Sequence, residues 1–282
     1  LHLPVRLLLH DGRQSPQLSR LKGVGFRPRG SYRGEADAYL ALTGERQRMV
    51  QRKDPMEQAV SQRTGTGLSN EVAQQTVLLS SCYLAPIDYY ALLDRSGYAT
   101  IEIGNNYQKQ TYQNRCHIAG ANGMLTLSIP VMKPAKEEAT MRDIRIADHG
   151  NWQHLHWNAI VSAYRSTPFF QYYEDEFRPL YEKKKRYLHD FNEELRLLVC
   201  RLIGIETEAI ITDSYTTDSP TGIFDSREII HPKRSSPFQT PRYYQVFANK
   251  NGFIPGLSII DLLFNMGNES GLILRQVGRL GS

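Results

Sequence analysis

Lys109, Arg115 and Cys116 lie within eight residues of one another, shortly after Asn106, and together they offer charge, hydrogen bonding and a thiol. A planar guanidinium grips a carboxylate or phosphate through two parallel hydrogen bonds, and an ammonium adds a compact charge. Arg115, Lys109 and Asn106 are therefore candidate ligand-binding residues for an anionic or activated small-molecule donor. The competing reading is that Arg115 anchors a carboxylate of the fold, such as Glu102 or Asp143. Cys116 is a candidate catalytic nucleophile, since a neighbouring cation favours thiolate and His117 or His156 could act as its base. Against this, a strand cysteine beginning a hairpin faces inward and is inert. His156 is a candidate catalytic proton acceptor, with a hydrogen-bonded imidazole at the core edge as the alternative. Tyr83 and Cys82 follow the first apolar run, where open α/β sheets bind ligands beyond the carboxyl ends of their strands. His154 and His156 stand two apart and point to different sides of a helix, so they cannot chelate one metal ion. Neither a Walker loop nor a dinucleotide fingerprint occurs, and no cofactor is expected.

These residues need a frame. Val77-Leu78-Leu79 suits a buried strand, and Pro86 then opens a helix whose inner face carries Ile87, Tyr90, Ala91 and Leu93. After Ser96-Gly97, Tyr98 to Ile103 predicts a second strand, and a strand–helix–strand unit favours a parallel pair. Cys116 to Ala119 and Met124 to Val131 flank Asn122-Gly123, a hairpin signal. Ile144 to Ala147 predicts another short strand. Helical spacing begins at Asn151, with Pro168 and Pro179 each marking a break that opens a new helix. The last helix carries Leu188, Phe191, Leu195, Leu198 and Leu202, with Gly204 as its stop. Glu174-Asp175-Glu176 and Lys183-Lys184-Lys185-Arg186 read as solvated helix faces. The aromatic group from Tyr164 to Phe177 is either core or a wall for stacking sugars. Residues 207–212 return as a late strand, and 213–241 is an irregular loop rich in Ser, Thr and Pro. The fold class is α/β: a small, mostly parallel sheet with a β-hairpin insertion, followed by a helical segment packing on the same core.

The net charge of +5 is concentrated at one end. Residues 1–68 hold 12 basic and 6 acidic side chains, which leaves 22 basic and 23 acidic over the remainder. That first segment has no sustained apolar period and reads as a disordered basic extension, or as an arm for a partner. The body is near neutral, so nucleic acid is not an expected partner. No apolar run approaches the roughly 20 residues of a membrane span. Three cysteines without close spacing fit reduced thiols and a cytoplasmic location. One domain is expected over 70–270, with 271–282 as a flexible tail.

Five separated blocks resemble the WbqC-like family of bacterial surface-polysaccharide gene clusters. They are Asn106-Tyr107-Gln108-Lys109-Gln110-Thr111-Tyr112-Gln113-Asn114-Arg115-Cys116, Leu127–Val131, the Trp152/His156-Trp157 pattern, Ser162–Asp175, and Leu257–Asn265. One departure stands at the entry turn, where members carry Q-P-x-Y-x-P-W and this chain has Ser81-Cys82-Tyr83-Leu84-Ala85-Pro86. The resemblance implies glycan or lipopolysaccharide assembly, with a glycan precursor as partner, and some members carry a glycine-transferase label. A transferase is one expectation; a non-catalytic glycan- or protein-binding module of the same pathway is the other.

Overall fold

The computed structural model describes residues 76–133, 139–215 and 222–279. The chain divides into two units, 1–69 and 70–282, and every described residue belongs to the second. The expected basic extension lies outside the described residues.

β1 (Thr76–Ser80) buries Val77, Leu78 and Leu79 in succession, the pattern of a strand covered on both faces. α1 (Ile87–Arg95) follows the Pro86 break and ends at Ser96, whose N–H and hydroxyl both donate to the Leu92 carbonyl. β2 (Tyr98–Glu102) then lies parallel to β1, as the strand–helix–strand pattern requires. β5 (Glu208–Thr212) adds outside β2, and β6 (Ile223–Asp225) adds on the free side of β1. The result is a four-stranded parallel sheet in the order β5-β2-β1-β6. At its end, β2 passes so close to the chain leaving β5 that a Cβ on Gly104 would fall 2.1 Å from the Asp213 carbonyl oxygen. Glycine is the residue that fits there.

β3 (Arg115–Gly120) and β4 (Gly123–Ser128) form the expected antiparallel hairpin. Its turn is Ala121-Asn122, one residue earlier than Asn122-Gly123. Gly123 instead opens β4 at φ +109°, a conformation that side chains resist. Ile144–Ala147 forms no strand. It is held by single bridges, Val131 to Ile146 and Arg145 to Tyr187.

Three helices follow: α2 (Trp152–Tyr164), α3 (Phe170–Glu182) and α4 (Leu188–Ile203). Pro179 lies inside α3 rather than opening a new helix. It sits in the last turn, where the lost bond would have gone to Asp175, an exposed residue. α4 stops at Gly204, as expected, in the left-handed conformation at φ +81°. The loop expected over 213–241 contributes two short strands, β6 and β7 (Phe238–Gln239).

The closing residues are ordered into α5 (Ala248–Asn251), α6 (Ile259–Met266), α7 (Ser270–Gln276) and β8 (Gly278–Arg279). The flexible tail expected from 271 is therefore a helix and strand as far as 279; residues 280–282 are outside the description. Leu274 is fully buried, β8 pairs with β7, and Arg95 donates to the Leu274, Arg275 and Val277 carbonyls. One cation thus satisfies the last carbonyls of α7 and lies at the negative end of its dipole.

The aromatic group is core. Phe264 of α6 is fully buried, with the rings of Tyr164, Phe170, Phe177 and Tyr173 at 5.3, 5.2, 5.4 and 6.4 Å. Tyr172 alone of that group is well exposed. Among the described residues no helix is long and apolar enough to cross a membrane.

Candidate functional site

Strand order creates the most promising location. The chain moves from β1 outward to β2 and β5, whereas β6 lies on the other side of β1. Connections leaving the carboxyl ends of β1 and β6 therefore diverge, and in open parallel sheets ligands bind in the crevice that this divergence leaves. Such a crevice exists here, lined by Ser80, Cys82, Asn105, Gln113, Arg227 and His231 among others. Its volume is about 30 Å³, so a ligand larger than a small polar group must extend into the open mouth.

The lining is polar and partly committed. Arg227, just beyond β6, contacts Glu102 at 2.7 Å and Asp225 at 2.6 Å. Glu102 closes β2 and is fully buried, so the guanidinium holds together the ends of two strands that flank β1. His231 accepts from the Lys233 N–H at 3.1 Å through Nδ1, which places the proton of a neutral ring on Nε2. Burial, then the Arg234 charge, lowers its pKa.

Four buried polar atoms lack a hydrogen-bond partner among the described residues: Asn105 Oδ1, Asn114 Oδ1, Arg115 Nε and Asn192 Oδ1. Native interiors pair the great majority of such atoms, so each one calls for a cause. Asn105 lines the crevice and its Nδ2 reaches Ser80 Oγ at 3.5 Å. Asn192 of α4 donates to Ser81 Oγ at 3.3 Å and to the Gln113 carbonyl at 2.9 Å. Two of the four thus gather around the carboxyl end of β1.

The sequence candidates separate into three places. Tyr83, His156 and Cys116 meet in the interior. The Tyr83 hydroxyl is 3.0 Å from His156 Nδ1 and 2.8 Å from the Tyr181 hydroxyl, with Cys116 fully buried alongside. Arg115 opens β3 and is half-buried, next to Tyr107 and His117. Among the described residues no carboxylate lies within ion-pair distance of it, and neither Glu102 nor Asp143 is its anchor. Asn106 and Lys109 are exposed on the surface loop.

A period of two along β3 places Arg115 and Cys116 on opposite faces, so that the guanidinium does not favour the thiolate. Burial instead drives the Cys116 thiol far up, and pushes the Cys82 thiol to about 12. Burial also lowers His156 to about 4, an effect only partly offset by a hydrogen bond to the Ser128 backbone. His154 is exposed and contacts Asn158 at 2.8 Å, on another side of α2 from His156. Among the described residues no group of three His, Cys, Asp or Glu side chains could hold a metal ion.

The WbqC-like protein family model matches residues 81–229. The chain belongs to the WbqC-like protein family. A protein of Mycobacterium tuberculosis, "Uncharacterized protein Rv1507c", is 24% identical over 227 residues, covering 72% of this chain and 98% of that protein. No solved structure matches the chain.

The WbqC-like match runs from the turn after β1 to just past β6, and so includes Tyr83, Asn105, Arg115, His156, Asn192 and Arg227. Asn105, Asn192 and Arg227 are not marked out by their sequence neighbourhoods in the way the other three are. Asn192 did leave a signal: it stands four residues from Leu188 on the buried stripe of α4, where a polar side chain needs a partner. Asn105 adjoined the recognised polar block. Arg227 left none, because its partner Glu102 lies 125 residues away.

Proposed function

We propose that this WbqC-like protein binds a small polar donor over the carboxyl ends of β1, β2 and β6. It transfers an acyl, aminoacyl or glycan group from that donor to a glycan precursor of bacterial surface-polysaccharide assembly. The observation that carries the reading is Asn105, a crevice residue whose buried Oδ1 has no partner among the described residues. A ligand hydroxyl or amine would satisfy it. Arg115 does not line the crevice; half-buried and without a carboxylate, it would hold the anionic part of a donor that extends beyond the crevice mouth. Lys109 and Asn106, exposed on the surface loop, would contact the ligand portion outside the crevice.

The interior group plays a different part in this reading. An imidazole with a pKa near 4 is a weak proton acceptor at neutral pH. His156 therefore orients Tyr83, whose backbone N–H donates to the Tyr112 carbonyl at 2.8 Å and so fixes a crevice-lining segment. Burial raises both the Cys82 and Cys116 thiols, so in this reading neither serves as the nucleophile. The second reading is a glycan-binding module that performs no chemistry, and it suits the absence of a nucleophile–base pair among Cys82, Cys116 and His156.

A thermal-shift screen of the full chain against nucleotide-sugars, acyl thioesters and amino acids tests the proposal. One class should raise the unfolding midpoint, and Asn105→Ala or Arg115→Ala should weaken its binding by roughly tenfold, the usual effect of losing one good polar contact. Both variants should unfold at the wild-type midpoint without ligand. An undiminished shift in both variants overturns the site. Incubation with the stabilising compound and a glycan acceptor then separates the two readings by whether product forms.

A further inference from the structure

We infer that a second, larger cavity binds the phosphate groups of a small molecule. It has a volume of about 360 Å³ and lies between the 145–148 and 184–186 segments and the first turn of α2. It shares no lining residue with the crevice at the sheet ends, so it stands independently of the function proposed above.

Four cations line the cavity, and two are neutralised. Lys184 pairs with Asp148 at 2.7 Å, and Lys185 pairs with Glu194. Arg145 and Arg186 are exposed and have no carboxylate within ion-pair distance among the described residues. The guanidinium carbon of each lies over the Tyr187 ring, 5.9 and 5.2 Å from its centroid. Both line the same cavity, which therefore presents two cations that no described carboxylate neutralises. An anion with several oxygens can take bidentate contacts from such groups, which is the geometry guanidinium offers phosphate.

The backbone ties together the two segments that carry these arginines. Ile146 N–H donates to the Arg186 carbonyl at 3.0 Å, Leu188 N–H to Ile144 at 2.9 Å, and Met132 N–H to Arg145 at 2.9 Å. The sequence reading of 183–186 as a solvated helix face is corrected by this arrangement, since the run lies between α3 and α4. α2 adds a further positive end. Its first turn, which lends Trp152 and Gln153 to the lining, has no acidic residue and no side-chain cap. Met132, Ile146 and Trp152 supply apolar surface for the rest of the ligand.

The test is isothermal titration calorimetry of the full chain with inorganic pyrophosphate and, separately, with uridine diphosphate. Binding of pyrophosphate identifies the phosphates as the recognised part; tighter binding of uridine diphosphate shows that the cavity also takes the nucleoside. In either case Arg145→Ala and Arg186→Ala should each weaken binding by roughly tenfold. Arg186→Gln, which keeps most of the side chain, should do the same, and Arg165→Ala, at another exposed position of the chain, should leave binding unchanged. No binding of either probe overturns the inference. So does equal binding by wild type and the Arg145 and Arg186 variants, or an equal loss in Arg165→Ala.

Discussion

Phe264→Ala should lower the unfolding free energy by about 3–5 kcal/mol, the range for an aromatic removed from a well-packed core. Phe264 is fully buried in α6, and four rings from α2 and α3 surround it within 6.4 Å. Its removal leaves a cavity that this wall of rings cannot close without shifting two helices. Phe169 N–H also donates to the Phe264 carbonyl at 3.1 Å, so the backbone on both sides is pinned. Urea denaturation of the variant measures the loss. A change below about 1 kcal/mol would mean that the rings repack freely.

A loss of similar size is expected for Asp261→Ala, one turn earlier. Asp261 is fully buried, and its carboxylate accepts from the Tyr164 hydroxyl at 3.0 Å, the Tyr243 hydroxyl at 2.6 Å and Gln245 Nε2 at 3.1 Å. Alanine strands two buried hydroxyls, at about 1–3 kcal/mol for each unsatisfied group. Burial raises the carboxyl from 3.8 to about 6, against the lowering effect of those three hydrogen bonds. Between pH 4 and 6 the folded state therefore binds a proton that the unfolded state has released, and this group's contribution to stability falls as pH rises.

His156 acts in the opposite direction across nearly the same window. Its pKa drops from 6.5 to about 4 on folding, so the unfolded state holds the extra proton and stability rises with pH. Each contributes a slope of about 1.4 kcal/mol per pH unit at most, and the two offset. Asp261→Asn should expose the His156 slope, making the protein clearly less stable at pH 4.5 than at pH 6.5. His156→Phe should expose the opposite one. Denaturant midpoints measured across this range check both signs, and parallel profiles for wild type and Asp261→Asn would contradict the raised carboxyl.

What was legible in the sequence is what is determined locally. β1, α1, β2 and the hairpin each announce themselves by apolar period and a Gly or Pro boundary, and the buried stripe of α4 is continuous from Leu188 to Leu198. Errors fell where a partner defines the element. β6 is three residues inside a stretch of Ser, Thr and Pro, and it is a strand because β1 offers an open edge. The same holds for the candidate site. Arg115 and Tyr83 could be named from their neighbours in sequence, whereas the Arg227–Glu102 contact, and the pairing of Tyr83 with His156 across 73 residues, exist only in the folded chain. Asp261 falls in the Leu257–Asn265 block of the family resemblance, but its burial among Tyr164, Tyr243 and Gln245 is set by residues far away in sequence.

The order β5-β2-β1-β6 also sets a timetable for synthesis. Thr76 pairs with Ile223 and Leu78 with Asp225, so one edge of β1 has no partner until most of the chain has been made. Val77, Leu78 and Leu79 would emerge from the ribosome early as an apolar strand with one side open, a template for pairing with other chains. Contacts this distant in sequence close slowly. Folding yield should therefore depend on how well that edge is shielded during translation, and slowing synthesis before residue 223 should increase aggregation more than slowing it afterwards.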